Sequence, residues 1–397
     1  MILEKNNNGK LNLFYLLEAI LGAIMPVCIM LDKDDLSSLL FNASFIVVGM
    51  HFAWHLASGK MGKKAIPDFL LYLSMVVLAF AFVAISTESG FTFNYIKKFI
   101  IFCIVFLLFY IYSQEKINKE TAKAVTFVFY AATIFFIVFF FFMGGNEKTN
   151  GELHSRYITM GFNNPNLAGM WLGTMIYFLA ISVGMAKNKF FKIFTVMLMA
   201  VMLYMITVTE CRNALLSLAV VLLLWIMHKI RKNKSFKPWS ILFVIVLPLI
   251  FVGLYFAVLK TDLVDALEFL VSEGKNLDSR VRIWGNGLKT IDGIKLITGN
   301  YYAEGNKTGE FQLHNISLDI LVAYGVIVFI LSVLYITKLL VPAAKKTPKN
   351  VLNFGILCFF GVWLFGLGEA AFITGGGGIY LPSCLLFSMA YYTENLR

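Results

Sequence analysis

Apolar runs of about 20 residues, separated by short polar stretches, recur from residue 11 to residue 393. A helix needs roughly 20 such residues to cross about 30 Å of hydrocarbon. Twelve runs fit: 11–31, 37–58, 68–86, 95–113, 124–143, 166–186, 193–209, 213–228, 240–259, 315–341, 351–373 and 379–393. The pattern predicts an all-α polytopic integral membrane protein with about twelve transmembrane helices. The first run is too long for a signal-peptide core and lacks a small-x-small cleavage site, so a retained helix is expected.

Composition agrees with this reading, since 59% of the 397 residues are apolar and 14% are charged. The polar stretches set an orientation, because Lys and Arg favour the cytoplasmic side of short loops. With the N-terminus inside, "GKMGKK", "QEKINKETAK", "KNKFFK", "HKIRKNKSFKPW", "KLLVPAAKK" and the two ends place 21 of the 34 Lys and Arg on the cytoplasmic side. Both termini are therefore expected in the cytoplasm of a multi-pass protein. The formal charge of +11 then belongs largely to loops facing anionic lipid, and no nucleic-acid partner is expected. Four parts follow: 1–143 with five spans, 144–259 with four, a long extracytoplasmic loop over 260–314, and 315–397 with three.

The long loop carries the candidate chemistry. It opens with "DLVDALEFLVSEG", whose Leu263, Leu267, Leu270 and Val271 form an apolar helical stripe. Next comes "NLDSRVRIWGNGLKTI". At 100° per residue Arg282, Asn286 and Lys289 share a polar face, while Arg280 falls with Trp284, Leu288 and Ile291. Arg282 fits a solvated surface cation. Arg280 sits on the apolar side, where an unpaired guanidinium costs several kcal/mol by rough estimate. It needs an anion, either a carboxylate such as Asp278 or a bound substrate.

Other polar groups fall on the same face. Arg212 follows Glu210 in "TECRNALL", between the seventh and eighth spans, where an interfacial arginine could simply snorkel. Arg156 precedes "GFNNPNLAG", in which Asn164 can cap and Pro165 can start the sixth span, leaving Asn166 in its first turn. Such a helix start is either a simple cap or a place where a phosphate can sit. His314 and Asn315 open the tenth span in "LHNISLDILVAYG". The positive end of that helix favours neutral imidazole, the form a general base needs. Asp319 and Glu369 are intramembrane carboxylates with either a functional or an interhelical role.

Several chemistries are set aside. No GxxxxGK, HExxH or EF-hand pattern is present. "HFAWH" gives His51 and His55 metal-ligand spacing, but His154 and His314 fall on the opposite face, and no catalytic metal is expected. Four of the five cysteines lie within spans and Cys211 stands alone near the outer surface, so no disulfide framework is expected.

In order and on one face, "GFNNPNLAG", "TECRNALL", "SRVRIW" and "HNISLDILVAYG" resemble the motifs of the bacterial O-antigen ligase and polymerase family. The resemblance covers roughly residues 155–340. It implies an architecture like that of the C-type glycosyltransferases and action on glycans carried by undecaprenyl pyrophosphate at the outer face of the cytoplasmic membrane. It also implies roles for Arg212, Arg280 and His314 in pyrophosphate binding and acceptor activation. Cys211 stands where a serine is more usual, and Arg282 has no firm counterpart.

Paired hydrogen bonds from guanidinium groups suit a departing pyrophosphate, so neither metal nor nucleotide cofactor is expected. The expected catalytic residues are His314, Arg280 and Arg212; the substrate contacts are Arg156, Asn164, Asn166, Glu210, Arg282, Trp284, Asn315 and Glu369. His314 or a nearby carboxylate would take a proton from the acceptor hydroxyl. The expected activity is polymerisation of lipid-linked oligosaccharide repeat units into O-antigen or capsular polysaccharide, with membrane lipid and a chain-length regulator as partners. The alternatives are a ligase acting on a terminal acceptor and, from another class, a lipid-linked oligosaccharide flippase. A transporter should show related halves with interrupted helices and polar groups near the midplane, and the sequence shows no such repeat.

Overall fold

A computed structural model of the protein describes residues 11–59, 62, 65–86, 93–143, 147–149, 156–162, 164–230, 236–258, 277–301, 313–345, 352–369 and 378–392. Ten of its helices are long and apolar enough to cross a membrane. They are α1 (Leu13–Met30), α2 (Asp34–Ala57), α3 (Ile66–Ser86), α4 (Phe93–Glu115), α5 (Lys119–Met143), α6 (Pro165–Met185), α7 (Lys189–Val208), α8 (Arg212–Ile230), α9 (Pro238–Val258) and α12 (Ile316–Lys345). Between the last two lie α10 (Leu277–Lys289) and α11 (Lys295–Thr298). The two final predicted spans hold shorter helices among the described residues, α13 (Leu352–Phe365), followed by a turn with Gly366 and Gly368, and α14 (Tyr380–Met389). A small antiparallel ribbon of β1 (Glu147–Thr149) and β2 (Arg156–Ile158) was not foreseen from the pattern.

The helices follow from local chemistry. Asparagines open several of them: Asn12 accepts from Phe14 N at 3.1 Å, Asn164 from Asn166 N at 2.8 Å and Asn188 from Phe190 N at 2.8 Å. Hydroxyls buried along the spans bond their own helix one turn back, as Thr133 does to Phe129 O and Thr174 to Met170 O, both at 2.8 Å. That removes the cost of a lone hydroxyl in hydrocarbon.

The centre of the bundle is α6, with 83% of its apolar window buried, whereas α2, α3, α7 and α8 bury only 22% and turn the rest of their surfaces outward. α13 packs on α6, α8, α9 and α14, and α12 packs on α3, α4 and α9. Pro248 interrupts the ladder of α9. Neighbouring side chains reach carbonyls there: Trp363 donates to Ile245 O at 3.0 Å and Asn315 to Pro248 O at 2.9 Å.

α12 is kinked at Gly325, whose φ is +80°. The segment after α11 fits into this kink, with Asn300 N donating to Val322 O at 2.7 Å. A Cβ at Gly325 would lie 2.0 Å from Ile297 O, so only glycine permits the approach. The segment from α11 to Asn300 is thereby fastened to α12 at its kink.

Candidate active site

Three helix starts converge on one face of the bundle. The first is α6, where Asn164 spends its side-chain oxygen on the cap and Pro165 occupies the first turn. Asn166 is left to point its amide at Glu369 Oε1, at 2.9 Å. The second is α8, reached from α7 through a turn in which Glu210 takes a left-handed φ of +55°. This sharp turn lets Arg212 N donate to Glu210 O at 2.9 Å and starts the helix at Arg212, which is exposed, as is Glu210. A cation at the positive end of a helix is unfavourable by itself and becomes favourable when an anion arrives.

α6 and α8 meet through Cys211, fully buried, whose thiol lies 3.4 Å from Asn166 O. The Cys211 thiol thus lies against the backbone of α6. Gly169 makes this contact possible, since a Cβ there would fall 2.2 Å from that of Cys211. The glycine of "NLAG" is a packing requirement.

The third start is α12. Asn315, fully buried, caps it by accepting from Leu318 N at 3.0 Å, and donates to Pro248 O and to Leu367 O at 3.2 Å. Ile316 N donates to Gly366 O at 2.9 Å. These bonds hold His314 in a left-handed φ of +54°, sparsely populated for a residue with a side chain. They place its Nδ1 2.9 Å from Glu369 Oε2. Glu369 is nearly buried and His314 partly exposed, at 5% and 22% of the side chain. With a carboxylate at Nδ1, that nitrogen carries the proton and Nε2 is the basic one. The result is a chain from Asn166 to Glu369 to His314, with the imidazole at its outer end.

Asp319, also buried, takes a structural place: its Oδ1 accepts from Leu313 N at 2.9 Å, with Lys98 Nζ 4.0 Å away. Asn213 donates to Phe365 O and so holds the turn that carries Glu369, a contact with no forewarning in the pattern except the glycines of "FGLGE".

α10 is anchored beside His314. Trp284 is buried, donates from Nε1 to Leu313 O at 2.7 Å and packs on Phe251 and Tyr255. Together with Ile283, Gly287 and Ile291 it forms the buried stripe, while Leu288 and Arg282 are exposed. Leu288 was expected on that stripe; it lies 80° from position 280 around the helix and falls on its edge. Position 280 shares the register of Trp284 and Gly287, and its side chain lies outside the described residues. Trp284 and Asn315, expected to touch substrate, have their polar groups committed to protein and position the loop that bears His314.

Arg156 lies in β2 opposite Thr149, with its side chain outside the described residues. So does the amphipathic stretch expected over 262–271. None of the five cysteines, all among the described residues, is in a disulfide. Among the described residues, no group of three or more His, Cys, Asp and Glu side chains could hold a metal ion.

Fold and site together define a multi-pass membrane protein with a histidine–carboxylate contact and a basic helix start on one face. Residues 197–333 match the family model described as O-antigen ligase. The family is of membrane glycosyltransferase type and implies lipid-linked glycan substrates. No curated protein matches the chain. Arg212, position 280 and His314 fall inside the matched segment; Asn166 and Glu369 fall on either side of it.

Proposed function

We propose that the protein is a glycan polymerase that joins undecaprenyl-pyrophosphate-linked oligosaccharide repeat units into O-antigen or capsular polysaccharide. The observation that carries this reading is the 2.9 Å contact between His314 Nδ1 and Glu369 Oε2, beside the helix start that bears Arg212. His314 Nε2 takes the proton from an acceptor sugar hydroxyl. The oxygen attacks the anomeric carbon of the donor, the carbon–oxygen bond to undecaprenyl pyrophosphate breaks, and the configuration inverts. Arg212 and Arg280 receive the charge that develops on the departing pyrophosphate. Glu369 holds the ring and stabilises the imidazolium, and Asn166 holds Glu369. In this reading all twelve apolar segments are embedded in the cytoplasmic membrane, with both termini cytoplasmic and the His314 face outside, where the long loop of 260–314 meets the acceptor.

A ligase would use the same residues. Polymerisation is preferred because nothing in the chain marks a terminal acceptor such as lipid A core, teichoic acid or protein. The flippase reading is disfavoured because Asn166, Arg212, His314 and Glu369 gather at one surface, and because the sequence shows no repeat of interrupted helices in two related halves. The test uses purified protein in liposomes with a fluorescent undecaprenyl-pyrophosphate oligosaccharide of the native repeat, in EDTA. A product ladder that persists in Arg282→Ala and vanishes in Arg212→Ala, Arg280→Ala and His314→Ala is the expected result. Absence of a ladder from the unaltered protein rejects polymerisation; glycan appearing on an added terminal acceptor then marks a ligase, and counterflow without bond formation marks a transporter.

A further inference from the structure

The depth at which α11 sits can be read from its neighbours. α3 and α12 run antiparallel: Asp68 pairs with Lys338 at 2.7 Å, Ser332 Oγ lies 3.3 Å from Met75 Sδ, and the rings of Tyr72 and Tyr335 are 6.4 Å apart. Continued along both helices, this register sets Gly325 beside Phe82, about one turn before α3 ends at Ser86. Along α12, Gly325 is roughly 20 Å from Lys338 and about 13 Å from Ile316, at ~1.5 Å per residue. The kink therefore lies between the polar ends of the spans, within the apolar layer. α11 packs against both helices at this level, with Ile297 O at the kink and Asn300 N on Val322 O.

Two features suit this segment to hydrocarbon. Every backbone N–H from Lys295 to Asn300 donates within the protein: Lys295 to Asp292 O, Leu296 to Gly293 O, Ile297 and Thr298 to Ile294 O, Gly299 to Lys295 O and Asn300 to Val322 O. Asn300 also spends its side-chain amide on Thr290 O at 2.9 Å. Water would satisfy such groups unaided, and hydrocarbon cannot. The second feature is the outward surface, where Ile294, Leu296 and Ile297 are all exposed, Ile294 at 68%. Ile294 and Ile297 share one side of the turn, about 60° apart, and Lys295 points away from it. This apolar surface continues into Val77, Phe80 and Ile85 of α3 and into Ile327 and Ile330 of α12, exposed residues on two membrane spans.

We propose that α11 is a re-entrant membrane anchor of the long loop, in which Ile294 and Ile297 enter the hydrocarbon of the leaflet on the His314 face. Asp292 and Lys295, both exposed, stay with the head groups. The partner of this surface is the acyl chains of membrane lipid. α10 is tied to Leu313 through Trp284, and α11 to α12 through Asn300. The described part of the loop beside His314 is thus held between the bundle and the lipid. The inference is independent of whether the protein polymerises or ligates.

The test places a nitroxide on the full-length protein in liposomes, through Ile294→Cys or Ile297→Cys, with Ile330→Cys as the lipid-facing reference and Arg282→Cys as the water-facing one. Protein without an introduced cysteine gives the background from the native thiols. Relaxation of the label by oxygen, which concentrates in hydrocarbon, is compared with relaxation by a water-soluble nickel chelate. The oxygen-to-nickel ratio at 294 and 297 should match that at 330 and exceed that at 282 several-fold. A ratio like that at 282 overturns the proposal. So does a label that neither reagent reaches, since protein and not lipid would then cover the surface. If one of the two variants does not reconstitute, the other decides, and the readout requires no glycan transfer.

Discussion

The Glu369→Gln substitution tests the acid–base pair directly. The carboxylate is 5% exposed and accepts from both Asn166 and His314 at 2.9 Å, so its interactions are little weakened by water. A glutamine that keeps its oxygen toward Asn166 turns an amide N–H toward His314 Nδ1, setting donor against donor. One that reverses satisfies the imidazole and sets its amide against that of Asn166. Either a bond is lost or the neutral ring moves its proton to Nε2 and ceases to be the base, and the imidazolium of the proposed proton transfer loses its counter-charge. Charge-assisted hydrogen bonds contribute about 1.5–3 kcal/mol against about 0.5–1.5 for neutral ones. The difference of roughly 1–2 kcal/mol, at about 1.4 kcal/mol per factor of ten, predicts a fall in kcat of about 5- to 30-fold. KM for the lipid donor should hardly change, because the arginines are untouched. Initial rates of ladder formation in liposomes measure both constants. An unchanged kcat would refute the pairing as a source of catalysis, and an equal loss through KM would make Glu369 a substrate ligand.

Further predictions rest on close contacts. Gly169→Ala forces α6 from α8 at Cys211 and should lower stability by about 1–3 kcal/mol, visible as a lower thermal midpoint in detergent. Gly325→Ala adds a Cβ against Ile297 O at a positive φ and should cost at least as much, with freer hydrogen exchange over residues 295–301. Trp284→Phe keeps the ring packing and loses the bond to Leu313 O; a stability loss of about 1 kcal/mol and a lower transfer rate are expected, measured by thermal melts and the same assay.

Much of the membrane architecture is written in the apolar runs, because hydrocarbon demands helices and helices demand length. The end of α13 escaped that reading: a run of apolar residues does not announce where glycines stop the helix. At the site, capping residues lie beside the candidate chemistry. Asn164 is a cap, and by being one it frees Asn166 to reach Glu369. Asp319 is a loop fastener. The pairing of His314 with Glu369 could not be read, since it joins positions 55 apart through a turn set by Gly366, Asn213 and Asn315. Glu115 was counted with a solvated loop; its burial beside His51 and His55 shows only once α1 and α2 are packed against α4.

The arrangement also explains why strain gathers where it does. Glu210 and His314 both adopt left-handed backbone, one residue before the caps of α8 and α12. At each, the chain must turn within a single residue so that a new helix can begin at the same depth as α6. Three helices then point their positive ends toward one face, with Arg212 exposed on one and His314 held at another. In the proposed reaction, charge developing on a departing pyrophosphate would meet dipoles and a guanidinium already in place. A looser connection at either turn would relieve the backbone and misplace the group it carries. The local cost at these two residues is thus the structural counterpart of an electrostatic site that needs little rearrangement when the glycan moves.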